Sequence, residues 1–216
     1  MTRRSPSPGA PSPRADARHP PVSAGGRRLT LSPLGFDIVL ALSQAPEGLR
    51  LADIGRIIGS PVSSVQTALR VLIANRLVER ADADPPRYGL SSEHPASAEL
   101  ASLATVLPEP AHAIGIILRA NPAVRYAAVD SIGFLVAEKR DSDSAAVDAL
   151  DRHLALVADA RSDAPSLMRM TDEELGRLAK VAMGLRARVR QALTIKGRPP
   201  SGLQSGDQAP GGTSGR

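Results

Sequence analysis

Residues 59–70 read "GSPVSSVQTALR". A glycine and a proline interrupt the chain, small hydroxyl side chains follow, and apolar residues then recur at helical spacing. Val65, Ala68, Leu69, Leu72 and Ile73 form the stripe. The segment therefore predicts a helix with Ser60 as its cap and Pro61 in its first turn. Val62, Ser63, Ser64, Gln66, Thr67 and Arg70 fall outside the stripe. Such an outer face is either simply wetted or shaped to let the helix tip approach something closely.

The flanking residues decide which elements surround it. Upstream, "ADIGRIIG" predicts a short helix with Ile54, Ile57 and Ile58 turned inward and Gly59 as its stop. Before that, "LRL" at 49–51 suits a very short strand. Ser32 and Pro33 open an amphipathic first helix on Leu34, Ile38, Val39 and Leu42, ending near Gln44. Downstream, "RLVER" (76–80) and "RYGLS" (87–91) alternate like two edge strands, with "ADADPP" as turn chemistry between them. Helix, short strand, helix, tight turn, helix and hairpin is the order of a winged helix-turn-helix.

That architecture assigns chemistry to the outer face. In a helix-turn-helix the second helix lays its first turns in the DNA major groove. Gln66 has the amide to pair with adenine, and Arg70 reaches guanine or phosphate. Val62 or the Thr67 methyl group suits a thymine methyl, and Ser63 and Ser64 beside free helix amides suit a phosphate. In the wing, Arg80 and Arg87 are the cationic candidates, Arg87 the better one, opposed by Glu79, Asp82 and Asp84. The bland alternative is a capped core helix with a wet outer face.

The 44-residue run from "GLRLADIGRIIG" to "RYGLS" resembles the N-terminal winged helix of IclR- and MarR-type bacterial regulators. Leu51, Ile54, Gly59, Pro61, Ser63, Ser64, Val65, Leu69, Leu72, Leu77, Val78 and Arg80 carry the resemblance. It implies a DNA-binding regulator. Val62 and Thr67 stand where those families often have basic residues, so phosphate contacts are expected from the N-terminal arm, including Arg27 and Arg28.

Beyond residue 94 the pattern changes. "SSEHPASAELASLATVL" reads as a linker and an amphipathic connecting helix on Leu100, Leu103 and Leu107. Strand-like "VRYAAVD", "GFLVAEKR" and "SLMRM" then alternate with helical segments, one opened by a Thr171–Glu174 capping box. A basic helix "GLRARVRQAL" and a short "TIKG" strand follow. The fold class is α+β: a winged helix-turn-helix, a connecting helix and a small α/β domain. The expected parts are a disordered Pro/Ser-rich arm at 1–28, the DNA-binding domain at 29–94, the connecting helix at 95–110, a sensing or dimerising domain at 111–197 and a disordered tail at 198–216.

The second half is also similar, more weakly, to bacterial proteins that fuse a winged helix to a minimal nucleotidyltransferase-like domain. That resemblance puts the metal-binding Asp pair at Ser131 and Gly133, with no preceding Gly-Ser, so it implies a domain that has lost catalysis. Asp141 and Asp143 have the right letters but open a helix, where Asp is a common N-terminal partner.

Composition narrows the rest. The 216 residues hold no Cys or Trp, two Phe and two Tyr, which excludes thiolate chemistry and argues against aromatic platforms for single strands. The net charge of +5 divides into +5 over residues 1–28, −1 over 29–94, −6 over 95–175 and +7 over 176–198. Cationic blocks of this kind suit a nucleic-acid partner or serve as solubilising segments. The expectation is a cytoplasmic, non-enzymatic, double-stranded-DNA-binding regulator acting as a homodimer, with no cofactor, metal or membrane association. A small-molecule or protein effector at the C-terminal domain is left open. The alternatives are a nucleotidyltransferase-like enzyme and a winged helix used for protein contacts.

Overall fold

The computed structural model describes residues 30–199; the arm at 1–28, with Arg27 and Arg28, and the tail beyond 199 lie outside the described residues. From Leu31 onward the described chain forms one compact mixed α+β unit with a helical helix-turn-helix region ahead of its larger sheet.

Helix α1 (Pro33–Ser43) starts as its sequence dictates, with the Ser32 hydroxyl accepting from the Gly35 N–H at 3.1 Å. Its packing differs from the expected single apolar face. Ile38, Val39, Leu40, Ala41 and Leu42 are all buried in succession. A full turn of α1 is thus covered on every side, the signature of a central helix. The reason is non-local: α2 (Leu51–Ile58), which follows β1 (Leu49–Arg50), gathers around it with α3 (Val62–Ala74) and β3 (Arg87–Leu90). On the other side lie α4 (Ser97–Val106) and α5 (Pro110–Ala120).

Helices α2 and α3 meet at 110°, within the range of a helix-turn-helix. Gly59 ends α2 in the left-handed region at φ 68° and its N–H returns to the Gly55 carbonyl. Gly55 allows the close approach, since a Cβ there would lie 3.1 Å from the Ser60 carbonyl oxygen. Ser60 does not cap α3, contrary to expectation. Pro61 occupies the cap position without a side-chain bond and its carbonyl accepts from the Val65 N–H at 3.1 Å, while the backbone N–H of Ser60 closes the α2 end on the Gly55 carbonyl.

The stripe on α3 is narrower than its sequence suggests. Val65, Leu69 and Leu72 are buried and Ala68 is half-buried, but Ile73 is exposed. Strand β2 (Val78–Ala81) pairs antiparallel with β3 from Val78↔Leu90 to Ala81↔Arg87, and β3 also pairs with β1. The sheet order is β1-β3-β2, so β3 is the central strand rather than an edge. Tyr88 is accordingly buried.

On α4 the apolar pattern is reversed. Ala101, Ala104 and Thr105 are buried while Leu103 and Leu107 are exposed. Small residues let α4 lie close against α1 and α6 (Ser144–Ala160), and that proximity leaves two leucines outside. Leu100 is half-buried.

The second sheet runs β6-β5-β4-β7, from β4 (Val124–Val129), β5 (Gly133–Glu138), β6 (Ser166–Thr171) and β7 (Leu193–Lys196). β5 and β6 are parallel and joined through α6, while β4 is antiparallel to β5 and β7. Tyr126, Ala128, Leu135 and Ala137 pack on Leu175 of α7 (Asp172–Val181) and Val189 of α8 (Met183–Gln191). The expected capping box is present: Glu174 Oε2 accepts from the Thr171 N–H at 2.8 Å, and Thr171 Oγ1 accepts from the Glu174 N–H at 3.2 Å. α5 lies against β4 and β7. A buried polar cluster joins the two halves. Asn121 Nδ2 donates to the Ala146 carbonyl at 2.8 Å and to Gln44 Oε1 at 3.3 Å, and His153 Nε2 stands 3.2 Å from Ser43 Oγ. Burial depresses the basicity of that imidazole, partly opposed by its bond to the Ala149 carbonyl.

Candidate nucleic-acid interface

The α3 helix is positioned by what it buries. Val65, Leu69 and Leu72 anchor it against α1 and α2, which turns the remaining faces outward. Ser63, Ser64, Gln66, Thr67 and Arg70 are all exposed on it, and Val62 at the tip is 46% exposed. Five candidate residues thus share one open helix surface. Ser63 and Ser64 stand in the first turn, where the backbone amides have no intrahelical acceptor and the helix end is positive.

Thr67 has a defined orientation. Its hydroxyl donates to the Ser63 carbonyl at 3.1 Å. The polar end of the side chain is therefore engaged with the helix backbone. The group left to present outward is the methyl.

The hairpin candidates are arranged differently. Arg80 is exposed on β2 and lines a groove with Ile73 and Arg76 at the C-terminal end of α3. It is therefore not beside Ser63 and Ser64. Arg87 is half-buried, and its Nη1 donates to the carbonyls of Gly48 at 3.1 Å and Glu47 at 3.4 Å. Its guanidinium pins the loop before β1, a role that the sequence does not signal because those partners are some forty residues away. Glu47 and Glu79 share a shallow groove with Arg80 and Arg87, so the local field there is mixed. Asp82 and Asp84 at the hairpin turn are exposed.

The fold adds two cations to the candidates that the sequence suggests. Arg76 is exposed in the left-handed region at φ 59°, directly after α3. Arg50 is exposed at the N-cap of α2. Both flank the motif along the chain, Arg50 just before α2 and Arg76 just after α3. Arg56, by contrast, pairs with Asp53 and lines a cleft shared with α5.

The C-terminal positions singled out by sequence carry structural roles. Asp130 accepts from the Ile132 N–H at 2.8 Å and the Gly133 N–H at 3.1 Å, and pairs with Arg188. The Arg188 bond, reinforced by these amides, holds the Asp130 carboxyl below its ordinary range. Ser131 and Gly133 form the turn closed by those bonds. Asp143 caps α6, accepting from the Ala145 N–H at 3.2 Å. Among the described residues, no single helix is long and apolar enough to cross a membrane.

Residues 35–82 match the family model of the IclR helix-turn-helix domain. The matched span runs from α1 through β2 and includes every α3 candidate. An IclR-type helix-turn-helix, a DNA-binding module of transcription regulators, is therefore present. The matched residues do not extend to the C-terminal sheet. No curated protein and no solved structure matches the chain.

Proposed function

We propose that this protein is a sequence-specific, double-stranded-DNA-binding transcriptional regulator. The observation that carries it is the open polar surface of α3 within a matched helix-turn-helix. Gln66 and Arg70 read base edges, the Thr67 methyl meets a thymine methyl, and Ser63, Ser64 and their amides hold a phosphate. The β2–β3 hairpin serves as a wing in which Arg80 contacts the backbone and Arg87 chiefly supports the loop behind it. Arg27 and Arg28 of the arm supply further phosphate contacts.

Binding proceeds as a homodimer on two half-sites. The exposed Leu103 and Leu107 of α4 favour that helix as the dimer face, since it directly follows the hairpin. The C-terminal sheet layer is the part that receives an effector.

Salt-titrated binding to duplex DNA tests the proposal. The regulator reading requires affinity for random duplex at low salt and a steep loss with added salt. Absence of binding at low salt would instead favour a protein-contact module, a use compatible with the near-neutral charge of residues 29–94. Removal of residues 1–28 should flatten the salt slope by roughly 0.9 for each phosphate that the arm neutralises. An unchanged slope means that it neutralises none.

A further inference from the structure

A cleft of about 510 Å³ lies between the helix-turn-helix and the C-terminal sheet layer, a size suited to a small ligand. α2 contributes Ile57, with Leu49 just before it; α5 contributes Arg119, and β7 contributes Ile195 and Lys196. The exposed Arg56–Asp53 pair also lines it. Its cations therefore outnumber its one carboxylate.

Two features distinguish the cleft from an ordinary surface groove. Arg119 Nε is buried without a hydrogen-bond partner, and a buried guanidinium N–H left unpaired is costly. Lys196 is half-buried and donates to the Asn121 carbonyl. An ammonium carries three donors, so one neutral acceptor leaves most of its capacity unused. Burial and the neighbouring Lys139 depress its pKa to about 8. Groups perturbed in this way gather at functional sites more often than elsewhere. The one acid seen to influence Arg119, Asp37, is already bonded to His112 at 3.0 Å.

We propose that this cleft binds a small organic anion, its carboxylate or similar oxyanion held by Arg119 and Lys196 and its apolar body against Leu49, Ile57 and Ile195. A ligand seated there bridges α2 to α5 and β7. It therefore sets the angle at which the helix-turn-helix is held against the C-terminal layer. The regulatory consequence rests on the DNA-binding function proposed above, whereas ligand binding itself does not.

The test uses the full chain and a matched pair of probes, benzoate and the isosteric neutral benzamide, at constant ionic strength. Calorimetry should give saturable binding of benzoate, at roughly millimolar Kd, and none of benzamide. Lys196→Met keeps the apolar stem and removes the charge, so it should fold and weaken benzoate binding at least tenfold. Arg119→Gln should do the same, and the Lys196 variant covers the case in which it fails to fold. Equal binding of the two probes, benzoate binding unchanged in Lys196→Met, or no saturable binding of acetate, butyrate or benzoate up to about ten times a millimolar Kd overturns the proposal. Added benzoate should also change duplex affinity of the wild-type chain. Binding of benzoate without any such change overturns the coupling while leaving the DNA-binding function standing.

Discussion

Helices α1 and α3 are close in length and both are rich in aliphatic residues, yet they are used in opposite ways. α1 buries five residues in succession, whereas α3 buries only Val65, Leu69 and Leu72. Packing explains nearly every residue in the central turn of α1. It explains about one side of α3 and leaves Ser63, Ser64, Gln66, Thr67 and Arg70 without a structural duty, apart from the Thr67 hydroxyl. The lesson is that an apolar helix becomes informative about function where packing stops accounting for its residues.

Substitutions should separate the two helices cleanly. The largest effect is expected from Leu40→Ala or Leu42→Ala, each fully enclosed. Either should destabilise the protein by about 2–5 kcal/mol in denaturant unfolding, through lost burial and a residual cavity. A loss below about 1 kcal/mol would mean that α1 is not the central helix.

Lys196 tests the same contrast for a charge. Its pKa in the folded protein, about 8, lies below the ordinary 10.5. The unfolded chain therefore binds the proton more tightly. The cost of burying the ammonium is fully present below pH 8 and is relieved as pH rises from 8 to about 10.5. Lys196→Met should stabilise the protein at pH 7 by up to about 3 kcal/mol, an upper limit because the group retains some solvent. The advantage should vanish above about pH 10.5 in unfolding curves; a gain independent of pH would trace to packing instead.

On α3 the expected changes are in recognition rather than stability. Gln66→Ala and Arg70→Ala should each relax discrimination by about 1–3 kcal/mol at one base pair, measured against a set of singly altered duplexes. Equal losses on every duplex would identify them as phosphate contacts. Their unfolding free energies should stay within about 0.5 kcal/mol of the wild type, as for exposed positions generally. A smaller change, about 1 kcal/mol of stability, is expected for Ser32→Ala, which removes the α1 cap at Gly35. If that substitution instead altered DNA discrimination, the division between the two helices would fail.

Features resting on neighbours in the chain are legible in the amino-acid order alone. The Ser32–Pro33 start, the Gly59 stop and the Thr171–Glu174 box each depend on residues within four positions of one another. The open α3 face is legible for the same reason, since 3.6-residue periodicity separates the stripe from its complement. Arg87 is not, because its acceptors, the carbonyls of Glu47 and Gly48, arrive only when β1 pairs with β3. Leu103 and Leu107 mislead because periodicity marks an apolar face without saying that small residues will be chosen for the tightest contact. Ser60 fails as a cap because the geometry of the α2–α3 turn, with its backbone bond to Gly55, outweighs a local preference.

By itself, then, the sequence determined the order of elements, the start of α1 and the end of α2, and the residues that α3 could offer, because these follow from short-range sterics and hydrogen bonding. The tertiary structure alone decided that α1 is enclosed, that Arg87 is a strut, and that Arg119 and Lys196 meet across a cleft beside α2. Those outcomes depend on contacts between distant segments, whose free energy no local pattern carries.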